Sequence, residues 1–196
     1  MLMKFFRLTG DKRFLEGIPA ALDFLQSIAL DPETVAKTGL MIGNSSNTFS
    51  PNDALTHAMA VTVLYKMAGS PKPAYKLVFK NVLSDMWYSD AVIWAYNNGI
   101  IDGYGHESFN ANDPVSRQQL VAMLYRYAEY SHMDLTVESD MSVFTDIDIV
   151  SDWAKEPFEW AISNGIINGV EPTMLNPRGV TTRAQCAAIL VRFTAN

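Results

Sequence analysis

The chain repeats itself, and that constrains its fold more than any other feature of the sequence. Trp87, Trp94, Ala95, Asn98, Gly99, Ile100, Ile101 and Gly103 recur as Trp153, Trp160, Ala161, Asn164, Gly165, Ile166, Ile167 and Gly169, at a constant offset of 66 residues. The register continues without a gap from Asn110, Arg117, Gln119, Ala122, Leu124 and Arg126 to Asn176, Arg183, Gln185, Ala188, Leu190 and Arg192. Phe79 and Phe144 open the two units with one residue of slack. A weaker copy lies upstream at an offset of 60, where Gly39, Gly43, Phe49, Asn52, Asp53, Thr56 and Val61 match Gly99, Gly103, Phe109, Asn112, Asp113, Ser116 and Val121. Self-similarity at such a period marks a repeat architecture, in which one unit cannot bury its apolar face alone.

Each unit reads as helix, loop, helix. In the second, a helix over roughly Ser89–Asn98 carries an apolar face of Val92, Ile93, Ala95 and Tyr96, and Gly99 ends it as a left-handed cap. The loop from Asp102 to Pro114 is rich in Gly, Asn and Asp, which is turn chemistry. A second helix starts at Ser116, with Leu120, Val121, Leu124 and Tyr125 at helical spacing, and the third unit repeats the pattern with Gly165 as the stop and Thr182 as the start. A short helix from Asp31 to Gly39 and an amphipathic one over about Pro19–Leu30 are expected upstream. The segments Ser70–Pro73 and Ser131–Ser142 read as linkers. The expected fold is all-α, built from tandem helical hairpins: residues 1–69 hold an N-terminal helix and a degenerate first repeat, 76–130 the second repeat and 141–196 the third.

Ser116-Arg117-Gln118-Gln119 and Thr182-Arg183-Ala184-Gln185 are capping boxes, with a hydroxyl at the cap and glutamine three residues on. The arginines are less expected. A cation in the first helical turn opposes the macrodipole, a penalty that an anionic ligand would remove. Free amides, the positive helix end and a guanidinium fork make a carboxylate or phosphate site. An acidic residue of a neighbouring unit would serve equally, and the residues alone leave both readings open. Trp87 and Trp153, at the start of the first helices, read first as core plugs and otherwise as flat walls for a sugar ring. Trp94 and Trp160, mid-helix beside alanine, read as core. Gly103 and Gly169 close tight turns and could let a ligand approach the backbone.

Composition narrows the function. The 196 residues are 48% hydrophobic and 18% charged, as in a globular protein, and the net charge of −6 disfavours nucleic acid. A lone Cys186 excludes an internal disulfide framework or a cysteine-based zinc site, and His57, His106 and His132 have no metal-ligand spacing. No serine elbow or phosphate loop is present, so neither a catalytic site nor a cofactor is expected. No run approaches the ~20 apolar residues of a membrane helix. An uninterrupted apolar leader is also absent from Met1–Gly10, so the chain reads as cytosolic or as a piece of an exported protein.

Taken together, Phe, then Trp, then Trp-Ala with Asn-Gly-Ile-Ile-x-Gly, an Asn-bearing loop and Ser/Thr-Arg-x-Gln resembles the S-layer homology domain. Thr182-Arg183-Ala184-Gln185 misses that family's Thr-Arg-Ala-Glu by one residue, and Phe49-Ser50-Pro51 supplies its Phe-x-Pro element. The resemblance covers roughly Lys37 to the C-terminus. It implies three units in a pseudo-threefold spindle around a central three-helix bundle, and an exported, non-catalytic module at the cell wall. The ligand it implies is secondary cell wall polysaccharide, commonly pyruvylated, held in grooves between repeats. Arg117 and Arg183 would meet the acidic ketal, helped by Trp87, Trp153, Gly103 and Gly169 around the caps Ser116 and Thr182. His57 stands where the first repeat would carry arginine, so its groove is expected to be weak. The alternative is a degenerate scaffold that keeps the fold for protein assembly and has lost the glycan.

Overall fold

The computed structural model describes residue 41 and residues 50–74, 79–102, 108–137 and 141–195. Among these the protein is all-α, with no strand longer than an isolated bridge. The helices are α1 (His57–Met67), α2 (Ser89–Asn97), α3 (Arg117–Tyr130), α4 (Asp152–Ser163) and α5 (Arg183–Ala195), with 3-10 turns at Met141–Val143 and Ile147–Ile149. The two helices expected before Gly39 lie outside the described residues. The chain forms two compact units, one of residues 55–181 and one of residues 1–54 with 182–196.

In the larger unit α1 packs on α2 and α3, and α3 packs on α4. The contact faces follow the sequence periodicity: Ala58, Val61 and Leu64 of α1, Val92 and Ala95 of α2, Leu120, Val121 and Leu124 of α3, and Phe158 and Ala161 of α4 are all buried. Trp94 and Trp160 are core as expected, at 3% and 1% exposure. The Trp160 indole donates to the Asp134 carbonyl at 3.1 Å, which ties part of the supposed linker to the third repeat. α2 and α4 stop in the same way. Gly99 (φ +71°) and Gly165 (φ +63°) take the left-handed conformation. The Ile100 and Ile166 amides then return to the Ala95 and Ala161 carbonyls, each at 2.8 Å. This is the Schellman closure that glycine allows without steric penalty.

Three residues just before the second helices close a ring of backbone hydrogen bonds. Leu55 N–H donates to Thr181 O at 2.8 Å, Thr181 N–H to Val115 O at 2.9 Å, and Val115 N–H to Leu55 O at 2.8 Å. All three are fully buried, and they stand at the sequence offsets of 60 and 66. The repeats are thus equivalent in space at this point as they are in sequence.

Candidate functional site

The caps form as expected. Gln119 Oε1 accepts from the Ser116 amide at 2.8 Å, while the Gln119 amide donates to Ser116 Oγ at 3.4 Å. Thr182 and Gln185 repeat the exchange at 3.0 and 3.2 Å. Thr56 has only half of it, accepting from Met59 N–H at 3.3 Å, because methionine offers no returning acceptor.

The remaining first-turn amides are not free, which corrects the expected anion cradle. Arg117 and Gln118 N–H donate to Gly179 O (2.9 Å) and Pro177 O (2.8 Å). His57 and Ala58 N–H donate to Asp113 O (3.1 Å) and Ala111 O (3.0 Å), and Arg183 and Ala184 N–H to Asp53 O (3.0 Å) and Pro51 O (2.9 Å). In each case a turn of another repeat supplies carbonyls to the positive helix end, so the macrodipole is met by backbone and not left for a ligand.

The Arg117 side chain follows the same logic. Arg117, 5% exposed, donates from Nε to Leu175 O at 2.8 Å and from Nη2 to Asn168 O at 3.0 Å. The Asp146 carboxylate accepts from the Leu175 and Asn176 amides at 2.9 and 2.7 Å. One peptide group, Leu175 C=O with Asn176 N–H, therefore lies between guanidinium and carboxylate. Arg183 is 4% exposed, and desolvation, partly offset by Cys186 and Asp53, pulls its pKa below the usual value. The carbonyl partners of Arg117 are not readable from sequence, because backbone acceptors leave no residue-type signature.

His57 occupies the first repeat's equivalent position, buried edge-on against Phe109 with Nδ1 3.0 Å from Asp113 O. Burial lowers its pKa, opposed by the Asp113 carbonyl and carboxylate and by the Asn110 backbone. The Phe109 carbonyl, counterpart of Leu175 O, instead accepts from Asn81 Nδ2 at 2.9 Å, and Asn81 Oδ1 accepts from Phe109 N–H at 2.9 Å. Where one junction uses Arg117 and Asp146, the other uses His57 and Asn81. Charge has been removed from both partners together.

The first reading of Trp87 and Trp153 as core plugs is overturned. They are 64% and 52% exposed, because they sit on the outer start of their repeats while Trp94 and Trp160 fill the core. Trp153 lines a cavity of about 330 Å³ with Ile100, Ile101, Asp102, Phe109, Gln119, Ala122, Met123 and Arg126. In sequence Arg126 stands out only as a repeated position, matched by Arg192. Its Nη2 lies 2.7 Å from Asp102 Oδ2. Gly103 falls outside the described residues. Gly169 has a steric role, since a Cβ there would lie 2.1 Å from Glu171 O and 2.8 Å from Met174 O. Among the described residues no group of three or more His, Cys, Asp or Glu could hold a metal, and no helix is long and apolar enough to cross a membrane.

Helices that restart at the repeat offsets, with glycine stops, side-chain caps and first-turn amides met by carbonyls of other repeats, define a small repeat module. The chain belongs to the S-layer homology domain family, whose profile it matches over residues 33–60, 82–121 and 143–187, more than half its length. It is 30% identical over 158 residues to the exoglucanase XynX of Acetivibrio thermocellus, covering 81% of this chain and 14% of that protein. It is similarly 30% identical to the surface-layer 125 kDa protein of Lysinibacillus sphaericus, covering 84% of this chain and 14% of that protein. With an amylopullulanase of Thermoanaerobacterium thermosulfurigenes the identity is 29%, over 81% of this chain and 8% of the enzyme. The chain thus spans about a seventh or less of the length of these relatives.

Proposed function

We propose that the chain is a non-catalytic module that holds a protein at the outer face of the cell wall by binding secondary cell wall polysaccharide. The observation that carries this reading is the company the segment keeps. The same stretch is a small part of an exoglucanase, a surface-layer protein and an amylopullulanase, whose names share no reaction. A segment common to all three is better explained by where it places its protein than by chemistry, and the rest of the length would be cargo. The acidic composition suits a carbohydrate partner and disfavours nucleic acid.

The ligand favoured by this reading is a pyruvylated, acidic form of the polymer lying between repeats, with Trp153 as an exposed aromatic wall beside the second-repeat cavity. Arg117 and Arg183 would reach an acidic ketal only where their loops yield, since both are buried. The same burial favours a second reading, a scaffold that keeps the repeats for assembly with other proteins. Incubation with purified walls, before and after extraction of the polysaccharide, separates the two. Pelleting lost on extraction supports the glycan; pelleting that survives extraction removes it.

A further inference from the structure

We propose that the cavity beside Arg126 is a subsite for an uncharged pyranose of the wall polymer, in which the Arg126–Asp102 pair reads adjacent hydroxyls and Trp153 stacks on the ring. The proposal rests on the wall-binding reading and assigns this subsite to a neutral sugar, apart from whatever contacts the acidic group. About 330 Å³ lies at the small end of the roughly 300–1,000 Å³ typical of ligand pockets, so the cavity admits a ring and not a folded chain. Its floor is apolar, from Ile100, Ile101, Phe109, Ala122 and Met123, and its charged members are Asp102 and Arg126. Their contact at 2.7 Å, with side-chain exposures of 74% for Asp102 and 34% for Arg126, leaves the pair near neutral but open to solvent.

That neutrality selects the ligand. An incoming carboxylate would meet Asp102 as well as Arg126, and would lose its own hydration for little net attraction. A pair of hydroxyls can donate to the carboxylate and accept from the guanidinium while leaving the ion pair whole. The half-exposed indole of Trp153 supplies an apolar face with a polar edge. In sequence the Asp102 position is Asn168 in the third repeat and Ile42 in the first, so neither other repeat places an acid at this position.

The test titrates the full chain with soluble wall polysaccharide fragments, native and with the acidic substituents removed. Asp102→Asn is expected to weaken binding of both forms alike, by roughly three- to tenfold, as a charged hydrogen bond becomes a neutral one. Trp153→Ala should weaken both forms as well. Both side chains are exposed, and an unchanged thermal unfolding curve checks that each variant is folded. Were the cavity to take the acidic group, removing the Asp102 charge would tighten binding of the native form; that result, or no change, overturns the proposal. Failure of the unmutated chain to bind either form would instead overturn the wall-binding reading beneath it.

Discussion

Arg117 and Asp146 hold opposite edges of the same peptide group, between Leu175 and Asn176. The carboxylate polarises the amide and the guanidinium polarises the carbonyl, so each strengthens the other's hydrogen bond. A buried cation is tolerated here because carbonyl dipoles solvate it and an anion lies one peptide away.

Arg117→Ala should therefore be a stability mutation. The buried Leu175 carbonyl loses its Nε donor, at about 1–3 kcal/mol for an unsatisfied group, whereas the more exposed Asn168 carbonyl can turn to water. Denaturant unfolding of Arg117→Ala, Asp146→Asn and the double variant measures the coupling, expected at about 0.5–3 kcal/mol and less than additive. Additive losses would show that the two residues act separately.

The neutral junction is expected to resist piecemeal change. His57→Arg alone places a guanidinium near a Phe109 carbonyl already held by Asn81, leaving a buried charge without its acceptor. Adding Asn81→Asp recreates the Arg117–Asp146 combination and should restore much of the lost melting temperature. A double variant no more stable than His57→Arg would refute the equivalence of the two junctions.

Much of this was legible in the sequence and some was not. The repeat offsets, the glycine stops at Gly99 and Gly165 and the cap at Ser116 were readable, because helix ends depend on residue type within a few positions. The fate of Arg117 was not. A guanidinium in a first turn looks the same whether it awaits an anion or touches carbonyls 51 and 58 residues away. The tryptophans divided for a similar reason. Trp94 and Trp160 lie on a helical stripe that periodicity reveals, whereas Trp87 and Trp153 stand at element starts, where periodicity carries no information.

His57 gives the protein a pH dependence of known sign. Its folded-state pKa lies below the ordinary 6.5, so between the two values the unfolded chain binds the extra proton. Stability should fall as the pH drops through 6.5 and level off below the folded value. Urea midpoints between pH 7.5 and 5 should show this slope, and His57→Gln should flatten it. Any part of the slope that survives in the variant belongs to other groups.

Cys186 is fully buried and its thiol is pushed up to about 12 by desolvation, with Arg183 pulling the other way. Thiolate is the reactive form, so the native protein should resist iodoacetamide at neutral pH and react at the rate of opening of the segment around α5. Fast labelling without denaturant would contradict that burial.

The ring through Leu55, Val115 and Thr181 also sets a timetable. Each bond joins distant parts of the chain, so loop closure must be met before the contact repays it, and such topologies fold slowly. The ring cannot shut until Thr181 has been synthesised. A nascent polypeptide keeps three polar backbone positions unfastened until Thr181 joins Leu55 and Val115, so the seam between the repeats stays pliable early and locks late.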